Sequence, residues 1–113
     1  MVALNSNEAS RAEDESLSAM RKFAKKNDYN FSYAVDKNSE LAYAFGASRT
    51  PHVYLFNAKG ALVYRGAIDD NSRNAKAVKE PFLATAIDQL LAGDEISTAS
   101  TKALGCAIKF ASK

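Results

Sequence analysis

The sequence is short of the residues that most small redox and metal-binding domains use. Its 113 residues include one cysteine, Cys106, and one histidine, His52. One cysteine excludes an internal disulfide and a Cys-x-x-Cys motif, and one histidine excludes a metal site built from several histidines. We therefore expect this chain, taken by itself, to hold no metal ion and no other cofactor.

Long apolar runs and blocks of like charge are absent as well. No stretch approaches the roughly 18 consecutive apolar residues of a membrane span, and residues 1–10 lack the basic and apolar regions of a signal peptide. The formal net charge of +2 is spread along the chain, so we expect neither a nucleic acid nor a membrane as partner. As written, the chain is expected to be cytoplasmic, although export of a longer form stays open.

What is present is an ordinary globular composition. Apolar residues make up 47% of the sequence and charged residues 25%, which favours one domain over residues 1–113 with a modest core. Residues 94–113 show no clear period, and we expect them to form an irregular C-terminal tail.

The first half of the chain alternates between strand and helix periods. Residues 2–5 and 31–36 are typical of strands, whereas residues 13–27 predict a helix with acids in its first turn and lysines in its last. A short helix follows, with Asn38 or Ser39 as its N-cap and Gly46 at its C-terminal end. Its expected inward side chains are Leu41, Ala44 and Phe45.

The second half predicts a strand, a hairpin and a covering helix. Pro51 precedes a strand at 52–56 whose two faces are both apolar, as in a strand covered on both sides. Gly60 supplies the turn to an antiparallel strand, and the helix that begins at Pro81 ends at Gly93. The apolar stripe of that helix contains Phe82, Leu83, Ala86, Ile87, Leu90 and Leu91. This order of elements predicts an α/β fold, a mixed sheet with helices on both faces.

Four stretches carry a resemblance to a known family. They are "VALNSN" near the N-terminus, "FSYAVDKNSELAYAFGASRTPHVYLFNAKGALVYRGAIDD" over residues 31–70, "FLATAIDQLLAG", and "GCAIKF" near the C-terminus. The chain resembles the C-terminal part of thioredoxin-like proteins of the AhpC/TSA (redoxin) family, above all a bacterial branch that ends in Gly-Cys-x-Ile-Lys-Trp. Phe110 stands where that ending has Trp, which weakens any transfer of function to the tail.

The resemblance implies a thioredoxin-like fold that is truncated at its N-terminus. It implies a cis bond between Thr50 and Pro51, with both residues shaping a substrate groove and His52 beside them. The redox cysteines of the family would lie on a strand between the strands at 2–5 and 52–56, and that element is missing here. The implied function is the C-terminal part of a thiol-dependent oxidoreductase, either a disulfide reductase or a peroxiredoxin-like antioxidant enzyme, acting on a protein disulfide or a hydroperoxide and inactive in this chain alone.

Several alternatives stay open. The strand at 52–56 has one obvious neighbour in the chain, so its other edge could pair with the strand at 2–5, with a segment outside this sequence, or with a second copy in a homodimer or strand-exchanged oligomer. The corresponding second function is a non-enzymatic binding or assembly module that dimerises through its open sheet edge. A third is a thiol enzyme that uses Cys106, although a passive cysteine is the commoner case.

Two further side-chain sets have competing interpretations. His52 is a substrate contact or a plain strand-edge histidine, and the latter is favoured because the chain offers no nucleophile beside it. Asp69 and Asp70 form a divalent-ion ligand pair or a solvated turn, and the Asn-Ser dipeptide after them favours the turn.

Overall fold

The computed structural model describes residues 1–111, which fall into two units. Unit 1 is Met1–Ala47 together with the C-terminal residues from Ile108, and unit 2 is Ser48–Ala107. Each unit contains its own strand pairs, and all of the sheets in the described chain are two-stranded. No helix among residues 1–111 is long and apolar enough to cross a membrane.

Unit 1 is built on a strand–helix–strand connection. Strand β1 (Val2–Asn5) pairs in parallel with β2 (Ser32–Val35), and helix α1 (Leu17–Lys26) lies between them in the chain. The parallel pairing follows from this crossover, because two strands joined through a helix run in the same direction. The βαβ start predicted from the change of period is therefore present.

Helix α1 begins later than the sequence predicted. The Ser16 side chain accepts a hydrogen bond from the backbone N–H of Ala19 at 3.1 Å and caps the helix. Residues 13–15 therefore precede the helix, and the expected acidic first turn is wrong. The helix begins after Ser16 because the serine hydroxyl accepts a hydrogen bond from an amide of the first turn, which would otherwise lack a partner. Lys25 and Lys26 do occupy the last turn, as predicted.

The short helix α2 (Glu40–Phe45) presents a different face inward from the predicted one. Ala42 is buried, whereas Leu41 and Phe45 are 46% and 44% exposed, and Ala44 is exposed too. The Asp36 carboxylate holds the backbone N–H groups of residues 41 and 42, which fixes the rotation of this single-turn helix. Gly46 ends it at φ 73°, as predicted.

Unit 2 contains the predicted hairpin. Strand β3 (Arg49–Thr50) precedes β4 (Val53–Phe56), which pairs antiparallel with β5 (Leu62–Gly66). Gly60 lies in the connecting turn at φ 82°, a conformation that costs a residue without Cβ little. Helix α3 (Phe82–Ala92) follows and ends at Gly93, as predicted.

Strand β4 is not covered on both faces as the sequence predicted. Its first three residues are half-buried and Phe56 is 45% exposed, since β4 is an edge strand of a two-stranded sheet. The unit's core lies instead around Tyr64 on β5, which is 0% exposed. In α3, Ala86 is buried, whereas Leu91, a predicted core residue, is 80% exposed in the last turn.

The C-terminal segment from residue 94 is more ordered than its lack of period indicated. Strand β6 (Cys106–Ala107) pairs antiparallel with β3, and Ser100 forms a parallel bridge to Arg65 on β5. These pairings involve only one or two residues each, which is too short to leave a period in the sequence. The last two residues of the predicted tail, 112 and 113, lie outside the described residues.

Candidate functional site

The exposed segment ahead of strand β4 holds the sequence-predicted groove residues. Arg49 and Thr50 form strand β3, and the peptide bond between Thr50 and Pro51 is cis, the isomer that the family resemblance implied. All three residues are solvent-exposed. The chain thus presents a short extended backbone edge at the surface of unit 2, directly before the hairpin.

Strand β6 lies on this edge. In the antiparallel register Thr50 is opposite Cys106 and Arg49 is opposite Ala107. The Arg49 guanidinium also donates to the carbonyl oxygen of Gly105 at 3.5 Å. The structure therefore brings together two predicted site residues, Thr50 and Cys106, that the sequence analysis had treated separately. Cys106 is exposed and carries a free thiol.

Gly105 is the residue that lets β6 approach so closely. Its φ is +128°, and a Cβ added to it would overlap the carbonyl oxygen of Thr50 and come within 3.4 Å of Pro51 Cδ. Any larger residue would have to move away from β3. The Gly-Cys dipeptide of the tail is therefore matched sterically to the segment before Pro51.

A cavity of about 360 Å³ opens beside Pro51. Pro51, Ile68 and Leu104 contribute apolar surface, and residues of the loop from 69 to 75 contribute polar groups. Ile68 is 42% exposed. A cavity of this volume has room for a side chain or a small ligand. This cavity could not be predicted from the sequence, because its walls come from three separate stretches of the chain.

His52 is placed next to this edge but points to no catalytic partner in the described chain. Its ring stacks on Tyr54, with centroids 4.9 Å apart and an interplanar angle of 21°. Nδ1 is buried and has no hydrogen-bond partner among residues 1–111. Burial lowers the pKa of His52 below its usual 6.5, and the positive charge of Arg65 lowers it further. The imidazole is therefore neutral at pH 7.

A buried hydrogen-bond network anchors the chain that leads into β6. The Tyr64 hydroxyl donates to the carbonyl oxygen of Ala67 and shares a 2.7 Å hydrogen bond with the Thr101 hydroxyl. The Ala67 N–H donates to the same Thr101 oxygen at 3.0 Å. Gly66, at φ +138°, passes so close to Thr101 that a Cβ would overlap it. This network was not predicted from the sequence, since Tyr64 and Thr101 are 37 positions apart.

The Asp69–Asp70 pair forms a turn. Asp69 Oδ1 accepts from the N–H of Asn71, and Asp70 Oδ1 accepts from the N–H of Lys79, both at 2.9 Å. The hydrogen bond from Lys79 lowers the pKa of Asp70. Among residues 1–111 no group of three or more potential ligands gathers as a metal site would require. The carboxylates thus organise the loop that lines the cavity.

Comparison with known families bears directly on this geometry. The Redoxin family model matches residues 1–87. The chain belongs to the Redoxin family. That match begins in unit 1 and covers β3, Pro51, the hairpin and the first half of α3. The fold of this redoxin is accordingly thioredoxin-like α/β, as the sequence resemblance indicated.

Two solved structures are similar over nearly the whole chain. One is a hypothetical protein from Sinorhizobium meliloti 1021, with 34% sequence identity, a TM-score of 0.86 and coverage of 99% of this chain and 62% of that one. The other is an uncharacterized conserved protein from Geobacillus kaustophilus, with 34% identity, a TM-score of 0.87 and coverage of 99% and 60%. The redoxin thus spans less than two thirds of either protein. Comparison with curated proteins gave no match.

Proposed function

We propose that this redoxin is the substrate-binding part of a thiol-dependent oxidoreductase, either a disulfide reductase or a peroxiredoxin-like enzyme. The observation that carries the proposal is the exposed edge at Arg49–Thr50, which already accepts an antiparallel strand and opens at Pro51 onto a cavity of about 360 Å³. Membership of the Redoxin family supports the reaction class.

The nucleophilic cysteine of this reaction lies on a segment outside these 113 residues. Thiol–disulfide exchange needs a thiolate that attacks one substrate sulfur to form a mixed disulfide, and a second thiol that releases the reduced product. Cys106 is the only cysteine in the sequence, so the chain alone cannot complete that sequence of steps. The similar solved structures are longer, since this chain covers 62% and 60% of them. Edge strand β4 offers the additional segment a place to pair.

Within this assignment the described residues bind and orient the substrate. Thr50 offers backbone for pairing with an extended peptide, and Pro51 forms the wall of the adjoining cavity. Backbone pairing gives affinity and a neighbouring pocket gives selectivity in this mode of recognition. An extended edge fits a protein disulfide better than a small hydroperoxide, because a hydroperoxide offers no backbone to pair. The neutral His52 lies alongside and is not assigned a proton-transfer role.

The proposal is tested by restoring the missing segment. We would read the coding DNA upstream of the Met1 codon, express the chain with any in-frame upstream segment that contains cysteine, and assay reduction of insulin disulfides and of hydrogen peroxide. We expect activity that a Cys→Ser change in the upstream segment abolishes, while the 113-residue chain and its Cys106→Ser variant are both inactive. Insulin reduction by the 113-residue chain that Cys106→Ser removes would contradict the proposal.

A second candidate is a non-enzymatic assembly module. Apolar side chains on the edge strands favour it, since Val2 is 64% exposed, Leu4 43% and Phe56 45%. Exposed apolar residues on an edge strand promote pairing with another copy. Light scattering over a tenfold concentration range, with and without reductant, separates the two. A stable dimer that reductant does not affect, together with no activity in the restored protein, would favour the assembly module.

A further inference from the structure

We propose that strand β6 occupies the same edge of β3 that a substrate peptide uses, so that the redoxin covers its own binding site and a peptide enters by displacing β6. The inference rests on the proposed function, because it assumes that an extended substrate pairs with Thr50. It adds a specific form of regulation to that site: the C-terminal segment acts as an internal competitor.

The pairing of β6 has the features of such a competitor. It is antiparallel and extended, and it places Cys106 opposite Thr50. A cysteine-containing peptide bound to this edge in the same register would place its own cysteine at that position. The internal segment and a substrate peptide therefore cannot occupy the edge together.

The attachment of β6 is short enough to be displaced. The ladder involves two residues on each strand, and all four are solvent-exposed. By contrast, the preceding chain is firmly held, since Thr101 bonds to Tyr64 and Ala103 is only 8% exposed. The chain after β6 is held as well, since the Lys109 N–H donates to Asn7 Oδ1 at 2.9 Å and the Lys109 carbonyl oxygen accepts from the N–H of Ala9 at 3.2 Å. Displacement thus requires movement of the short stretch 104–107, which lies between two anchored stretches. Exposed, short pairings of this kind are the ones that open most readily in native proteins.

Gly105 gives the means to release β6 selectively. A Cβ at this position would overlap the carbonyl oxygen of Thr50, so Gly105→Ala should separate β6 from β3. Gly60→Ala is the matched control, because Gly60 also has a positive φ, +82°, but nothing lies within 4 Å of an added Cβ. The control carries the same type of backbone penalty without touching the edge.

The experiment measures release and binding separately in the 113-residue chain. Amide hydrogen exchange reports on residues 106–107. Fluorescence anisotropy follows a labelled peptide that copies residues 103–110, with serine in place of its cysteine so that no disulfide forms. We expect Gly105→Ala to exchange at least about tenfold faster at residues 106–107 and to bind the peptide about tenfold more tightly than the wild type, since affinity scales with the fraction of open sites. Gly60→Ala should change neither.

The possible failures are distinguishable. If the wild type binds the peptide as tightly as Gly105→Ala while residues 106–107 stay protected, self-coverage is wrong and the proposed function survives. If Gly105→Ala releases β6 and still binds no peptide, the edge is not a peptide site, and both proposals for it fail. If Gly105→Ala leaves exchange unchanged or unfolds the chain, a second variant is used. Ala107→Pro removes a backbone N–H from β6. If Ala107→Pro binds the peptide no more tightly than the wild type, the inference is overturned.

Discussion

The two units differ in what they bury and in what they leave at the surface. In unit 1 the buried polar residues include Asn5, Ser10, Asp36 and Ser39. The side chains of Asn5, Asp36 and Ser39 hydrogen-bond to other groups of the same unit. In unit 2 the buried residues Tyr64, Ala67, Ala86 and Ala103 form a small core, while a stretch of extended backbone at Arg49–Thr50 stays at the surface. Unit 2 therefore exposes the backbone edge that is proposed above to bind a substrate, whereas the buried polar groups of unit 1 serve its internal structure.

The polar cluster of unit 1 gathers where β1 and β2 end. Asp36 is 3% exposed and accepts hydrogen bonds from the Ser6 hydroxyl at 2.7 Å and from the N–H groups of Leu41 and Ala42 at 2.9 Å. Burial alone would raise the pKa of Asp36, but these hydrogen bonds and the charge of Arg11 together lower it below 3.8. The carboxylate is therefore ionised and fixed in place at neutral pH.

The largest effect is expected in this cluster. Asp36→Ala leaves two helix N–H groups and the Ser6 hydroxyl without their acceptor in a buried position, so we expect the free energy of unfolding to fall by about 3 kcal/mol. Urea denaturation of the wild type and of Asp36→Ala measures this difference in the free energy of unfolding. Asp14→Ala, at an exposed acid, is the control and should cost less than about 0.5 kcal/mol. Equal effects of the two substitutions would show that Asp36 is not the organising residue of unit 1.

A smaller loss is expected from the core of unit 2. Tyr64→Phe removes the hydroxyl that joins Ala67 to Thr101 and leaves a buried carbonyl oxygen without its donor, so we expect a loss of about 1–2 kcal/mol. The Tyr29→Phe variant keeps the ring packing of Tyr29 on Phe31 and should be nearly neutral. The same denaturation measurement applies, and an unchanged midpoint for Tyr64→Phe would mean that the network does not anchor the tail.

The smallest effects are changes of stability with pH, which arise from His52 in unit 2 and from Asp36 in unit 1 and fall in different pH ranges. The pKa of His52 is lowered in the folded state from 6.5, so the unfolded chain binds more protons as the pH falls, and stability decreases below about pH 6.5 until the folded-state pKa is passed. In His52→Phe the thermal midpoint should change less between pH 7 and pH 5 than it does in the wild type. A wild-type midpoint that does not fall in this range, or a fall that His52→Phe leaves intact, would contradict the assignment.

The stability contribution of Asp36 in unit 1 is lost at a lower pH than that of His52 in unit 2. Because the folded-state pKa of Asp36 lies below 3.8, its contribution is present above about pH 4 and is lost as the pH falls through the folded-state value. Thermal midpoints measured from pH 5 to pH 2 should fall more steeply for the wild type than for Asp36→Ala. Parallel curves would show that the carboxylate contributes no charge-dependent stability.

Local signals in the sequence predicted most of the elements. The predicted helix at 13–27, the predicted strand at 31–36, the turn at Gly60 and the helix ends at Gly46 and Gly93 all depend on residues a few positions apart. The structure has a helix within 13–27, a strand within 31–36, and a turn or a helix end at each of these glycines. The inward face of α2 was wrong because Asp36, outside the helix, sets its rotation.

The candidate site was predictable only in part. Thr50 and Pro51 stand in a specific string of the family, and the structure places them at an exposed edge. The β3–β6 pairing was missed because it depends on a close approach at Gly105, 55 residues after Thr50 in the sequence, and two paired residues leave no periodic pattern. The Tyr64–Thr101 network was missed for the same reason, since a tyrosine on a hairpin carries no sign of its distant partner.

The most direct test of the central claim, that unit 2 carries the binding edge, is an NMR titration of the isotope-labelled 113-residue chain with an extended cysteine-containing peptide. The account predicts amide shift changes that saturate at residues 49, 50 and 52, at 67–69 and at 104–107, while residues 5–11 and 36–42 of unit 1 stay unchanged. Saturating changes confined to unit 1, or none at millimolar peptide with Gly105→Ala included, would contradict it.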